Sequence, residues 1–110
     1  MISDTMKELK NRIQKDKSVP TQTKSELLSM LSNLESQVTK LSKTHLEHAQ
    51  SIAGFIERST HEATRKKKHP ELLDLSLSGL KESVKQFEAS HPQMVKEINS
   101  ICTVLANMGV

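Results

Sequence analysis

The chain has 110 residues, 26% charged and 35% hydrophobic, with a formal net charge of +3 and only two aromatics, Phe55 and Phe87. So few aromatics, with three Gly and three Pro, argue against a β-sandwich or barrel, which needs aromatic and β-branched strand-formers and many turns. Glycines at 54, 79 and 109 alone cannot build a phosphate-cradling loop, and the expected class is an all-α single domain over 1–110.

Ile2, Met6, Leu9 and Ile13 step by four, three and four, which puts them on one face of a short helix capped by Ser3 or Asp4 and ending near Lys17. Ser18-Val19-Pro20-Thr21 reads as a stop and restart: Pro20 disfavours helical geometry at Val19 and is tolerated in a first helical turn. A helix over about 21–63 follows, with a heptad-like seam of Leu27, Leu31, Leu34, Val38 and Leu41. In the same register come His45, His48, Ile52 and Phe55, while Leu46, Ala49, Ala53 and Ile56 form a neighbouring stripe. The apolar face therefore widens or drifts after Leu41, and continuity through that region is open. Pro70 suits the first turn of a helix over about 70–107, and Leu73, Leu77, Leu80, Val84 and Phe87 repeat the four-three spacing. Ser90-His91-Pro92 marks a kink or break there, with Ser90 as N-cap. Val95, Ile98, Cys102 and Leu105 carry the last apolar face, and Gly109 reads as a left-handed C-cap with Val110 folding back.

A turn near Lys67 lays the two long arms antiparallel in a helical hairpin, pairing positions whose numbers sum to about 135. Phe87 then faces His48, Leu80 faces Phe55, and Cys102 faces Leu34. A chain this short buries roughly 60–70% of its unfolded surface, and three runs of four-three spacing exceed what one slender hairpin covers. The expectation is a bundle-like, coiled-coil-type homodimer that self-associates through Leu27, Leu31, Leu34, Val38 and Leu41, the short first helix folding back on the hairpin or packing across the dimer.

The charge is uneven. Residues 57–70 carry five basic against two acidic side chains, chiefly Arg65-Lys66-Lys67-Lys68, and 71–110 carry three against five. Such a block usually stays solvated between helices, but with Lys7, Lys10, Arg12, Lys15 and Lys17 it is a candidate polyanion or nucleic-acid surface, nucleic acid being the less expected partner. The lack of aromatic platforms beside it argues against single-stranded nucleic acid. His45 and His48 share a helix face, and the hairpin register brings His91 opposite, making a candidate metal cluster with Glu47 or Glu88 as oxygen donor. The simpler reading is a polar layer in an apolar seam, and no cofactor or metal is assigned. Cys102, alone on an apolar stripe, reads as a small buried hydrophobe rather than a nucleophile. The serines lie on polar faces with no strand-turn-helix elbow to expose one. Met6, Met30, Met94 and Met108 read as core filling. Met1–Asn11 has no apolar run behind Lys7 and Lys10, and no window approaches the roughly 18 apolar residues of a spanning helix, so a cytoplasmic protein with no membrane partner is expected.

Phe87-Glu88-Ala89-Ser90-His91-Pro92 and the ending Leu105-Ala106-Asn107-Met108-Gly109-Val110 resemble a family of small bacterial proteins, domain of unknown function 4404. The likeness is close over about 80–110 and one of pattern over 1–41, and the basic connection is longer here than that family's layout implies. It implies a bacterial origin and a helical fold, and brings no activity, cofactor or catalytic residue. The sequence is thus read as a non-enzymatic interaction or scaffold protein with a possible second, unidentified protein partner.

Overall fold

The computed structural model describes residues 2–109. Helix α1 runs Ile2–Lys15, α2 Thr21–Ser42, α3 Leu46–Thr64, α4 Pro70–Val84 and α5 Pro92–Met108, with a 3-10 turn at Lys85–Phe87. The described residues contain no strand, and the all-helical class is as expected.

Helix α3 packs on α4 and α2 on α5, as the hairpin with its turn near Lys67 requires. However, α2 also packs on α3, and α4 on α5, so the four helices close into an up-down-up-down bundle. An unbroken helix over 21–63 would be about 64 Å long at 1.5 Å per residue, whereas the molecule's longest extent is 37 Å. The hairpin is folded in half. Its arms bend at 43–45 and at 88–91, which face each other in the register summing to about 135. That register is kept: the Phe87 and His48 rings lie 5.5 Å apart, and Gly79 lies against Phe55.

The first bend contains neither Gly nor Pro. Past Leu41 the seam would bring His45 and His48 into the core, and neither desolvates cheaply. Hydroxyl groups take over the last helical carbonyls instead: Ser42 Oγ donates to Thr39 O at 2.5 Å and Thr44 Oγ1 to Leu41 O at 3.4 Å. His45 N also donates to Leu41 O, at 2.8 Å. Helix α3 then buries Ala49, Ala53 and Ile56 of the neighbouring stripe together with Ile52 of the seam, leaving Leu46 54% exposed. At the second bend His91, not Ser90, is the N-cap of α5, and Pro92 fills the first position, where its missing N–H leaves no ladder bond unmade.

Four other boundary details differ from expectation. Helix α1 stops at Lys15 because the Asp16 carboxylate accepts from Ser18 N and Oγ at 2.8 and 2.6 Å, making a tight turn. Its start at Ile2 puts Ser3 and Asp4 inside the first turn rather than at the cap. Pro20, at φ −56° and ψ 145°, is the residue before α2 rather than part of its first turn. Gly109 has φ −84°, so it is no left-handed cap. A Cβ there would press on the end of the Leu73 side chain, which would have to shift to admit a larger residue. Val110, expected to fold back, lies outside the described residues.

Helix α1 lies against α2 and α3 only, through Met6, Leu9 and Ile13. The seam residues Leu27, Leu31, Leu34, Val38 and Leu41 are each at most 1% exposed within the single chain. This corrects the expected self-association seam: folding the hairpin in two covers all the four-three runs at once. Burying a leucine-sized side chain is worth about 1.5–3 kcal/mol, so turning five outward would cost roughly 10 kcal/mol. Met6 and Met94 are buried, and Met30 and Met108 pack beside the core.

Candidate functional sites at the two ends of the bundle

The bends gather His45, His48 and His91 at one end, as the hairpin register implied. They surround a phenyl ring rather than a common point. Phe87, 3% exposed, has its centroid 5.4 Å from His45, 5.5 Å from His48 and 5.6 Å from His91, at interplanar angles of 80°, 79° and 89°. Each Nδ1 already has a neighbour: Thr44 Oγ1 at 2.8 Å for His45, Gln86 Nε2 at 3.3 Å for His48, and Ser90 Oγ at 2.9 Å for His91. Among the described residues no group of three or more His, Cys, Asp and Glu is arranged to hold a metal, and neither Glu47 nor Glu88 is drawn into such a set. Edge-to-face contacts of this kind contribute about 0.5–1.5 kcal/mol each, and together the imidazoles form a polar-rimmed lid over the core.

Sequence reasoning missed a repetition. Histidines precede three helices with nearly the same backbone: His45 at φ −137°, ψ 64°, His69 at −134°, 84° and His91 at −135°, 60°. His69 acts as a cap, its Nδ1 accepting from Leu72 N at 3.4 Å. The available signal was the pairing of histidine with a hydroxyl residue before it or a proline after it.

The opposite end is basic. There the turn after α1, the start of α2, the end of α3 and the 65–69 connection meet. Lys24 Nζ donates to Gln14 O at 3.1 Å, Arg12 Nη1 donates to His61 Nδ1 at 3.3 Å, and Lys68 comes close enough to Asp16 to act on its carboxylate. Arg12, Lys15, Lys17, Lys24, Arg58 and the four cations of 65–68 gather against Glu8, Asp16, Glu26, Glu57, Glu62 and Glu71; the rest of the chain carries seven basic against seven acidic side chains. The net positive charge therefore sits at this end. The 65–68 block is only half free to act. Arg65 Nη1 donates to Glu62 Oε1 at 2.8 Å and Lys68 Nζ to Ala63 O at 2.6 Å, while Lys66 and Lys67 are exposed. Lys10 is not part of this surface, being tied to Glu35 at 2.6 Å, and Lys7 lies farther back along α1.

Glu62, which the sequence reading passed over, is 2% exposed. The Arg65 hydrogen bond holds its carboxyl below the usual range against the opposing effect of burial, with His61 and Arg58 adding to the pull. Cys102 is 1% exposed between Ile98 and Leu105, and burial pushes its thiol pKa up. A groove of about 380 Å³ beside the basic end has Glu26 and Lys68 as its ionisable lining residues. No helix of the described residues is long and apolar enough to cross a membrane.

Compared with known families, residues 30–110 match the model described as Domain of unknown function (DUF4404). The match includes the basic connection and begins within α2, leaving α1 outside it. No curated protein and no solved structure matches the chain.

Proposed function

The chain belongs to that family, whose description names no activity, and on this footing we propose that it is a non-enzymatic, cytoplasmic interaction protein that meets polyanionic partners with its basic end. The observation that carries this reading is the convergence of two segments distant in sequence, Arg12–Lys17 and Arg65–Lys68, on one end of the bundle. Lys66 and Lys67 are exposed there, and phosphates meeting them would release condensed counterions. A non-catalytic role is supported by the fate of the reactive groups: the thiol of Cys102 is buried, and the imidazoles at the other end pack around Phe87. In this reading any scaffold or self-associating role uses surfaces other than the Leu27–Leu41 seam.

The test is binding of a labelled DNA duplex and of inorganic polyphosphate across a salt series. Affinity is expected to fall linearly on a log–log plot, with slope about −0.9 per phosphate neutralised for duplex DNA. Neutralising Lys66 and Lys67 together should reduce the magnitude of that slope by about 2. Absence of binding to both probes at about 20 mM salt, where the counterion term is strongest, would remove the reading.

A further inference from the structure

We propose that α1 is exchangeable between molecules: the groove between α2 and α3 accepts α1 of a second copy in place of its own, giving a reciprocal dimer. This inference stands apart from the polyanion reading. Helices α2 to α5 close their ring without α1, whose neighbours are α2 and α3 alone. Met6, Leu9 and Ile13 are 0%, 3% and 0% exposed in that groove, while Lys7, Glu8, Asn11, Arg12, Gln14 and Lys15 face solvent. A 14-residue helix is marginal alone in water, and the uncovered groove would expose the apolar sides of α2 and α3. Each therefore needs the other, but nothing requires both to come from one chain. The polar ties, Lys10 to Glu35 at 2.6 Å, Arg12 to His61 at 3.3 Å and Lys24 to the Gln14 carbonyl at 3.1 Å, form equally well in trans, so exchange adds no new interface chemistry.

The hinge is short, residues 16–20, and Val19 in it is packed at 8% exposure. Pro20 is extended at φ −56°, ψ 145°, and as the residue before proline Val19 is biased the same way. What reverses the chain is the turn closed by the Asp16 carboxylate on Ser18 N and Oγ. Opening that one turn directs α1 away from its own groove, and short hinges favour exchange in this way.

The test uses the full chain with Cys102 replaced by Ala. Two variants, Lys10→Cys and Glu35→Cys, are mixed in equal amounts, unfolded, refolded at low micromolar and at near-millimolar concentration, and treated with a short bis-maleimide. A 10-to-35 cross-link between the two variants forms only if α1 of one molecule occupies the groove of the other. The expected result is unlinked monomer of 12.3 kDa at low concentration and a cross-linked dimer of twice that mass at high concentration. Lys7→Cys, on the outward face, should give no such link to Glu35→Cys. Asp16→Ala should lower the dimer dissociation constant about a hundredfold, about 2.8 kcal/mol, because both closed chains that form the dimer lose the Asp16 turn, at about 1.4 kcal/mol each. Monomer at every concentration, or a dimer without the 10-to-35 link, overturns the proposal, as does an Asp16→Ala variant that stays folded with an unchanged monomer–dimer balance.

Discussion

Gly54 and Gly79 both lie inside helices, and replacing each by alanine should change stability in opposite directions. In an unobstructed helix interior, Gly→Ala gains about 1 kcal/mol. At Gly54 an added Cβ meets nothing within 4 Å, so Gly54→Ala should stabilise by about 0.5–1 kcal/mol. At Gly79 the same atom would overlap Phe55 Cε1 and lie 2.9 Å from Cδ1 and Cζ, where ordinary carbon contacts are about 3.5–4.0 Å. The ring must move by more than about 1 Å to restore that contact distance. Phe55 packs partly buried against the core, and turning it outward exposes on the order of 100 Å² of apolar surface, about 2.5 kcal/mol. Subtracting the helical gain leaves Gly79→Ala destabilising by about 1–2 kcal/mol. Urea titration followed by circular dichroism measures both, as opposite shifts of midpoint at constant slope. In a Phe55→Ala background the obstruction is gone, and Gly79→Ala should become stabilising, a coupling of about 2–3 kcal/mol. If Gly79→Ala stabilises the unmodified chain as much as Gly54→Ala, or is unaffected by Phe55, the α3–α4 packing described above is wrong.

Three further outcomes follow from groups already described. Cys102, buried with its thiol pKa raised, should react with a thiol reagent at pH 8 more than about a hundredfold more slowly in the native chain than in urea; comparable rates would show an open α4–α5 face. Glu62 has a folded pKa below its unfolded one, so its contribution is complete above the ordinary carboxylate range and disappears as pH falls through the depressed value. Glu62→Gln should cost about 1 kcal/mol at pH 7, because Arg65 is a third exposed and can rehydrate, and should flatten acid unfolding below pH 4.5; an unchanged acid limb would refute the pair's role. Phe87→Leu should destabilise by about 1–3 kcal/mol and abolish ring-current shifts of the His45, His48 and His91 proton resonances, and shifts that persist would place those rings elsewhere.

The helical class, the pairing register and the buried faces were legible because four-three spacing reports which side of a helix avoids water. The partner of that side was not legible. Leu27 to Leu41 has the same spacing whether it meets another chain or α5 of its own, and the choice turned on a bend at 43–45 that neither Gly nor Pro announces. Its traces were the drift of the apolar stripe after Leu41 and the hydroxyls of Ser42 and Thr44. The histidine cluster was readable as a meeting of three residues, since register alone brings His91 to His48, but its centre was not, because a register that sets Phe87 opposite His48 does not say that one ring meets all three imidazoles. In the basic block, composition could not separate Lys66 and Lys67 from Arg65 and Lys68. Their acceptors, Glu62 and the Ala63 carbonyl, are fixed only once α3 ends where it does.

The matched bends also bear on how the chain is made. Most of the packing joins helices consecutive along the chain, an arrangement that favours folding in microseconds to milliseconds. The exception most distant in sequence is the face of α2 that belongs to α5, the last 17-residue helix. Until those residues leave the ribosome, α1 to α4 can assemble on one another while one side of the Leu27–Leu41 row waits uncovered. Losing the final helix would therefore leave a bundle with an apolar slot along its length, and a truncated product would be more exposed to aggregation and proteolysis than its small missing mass implies.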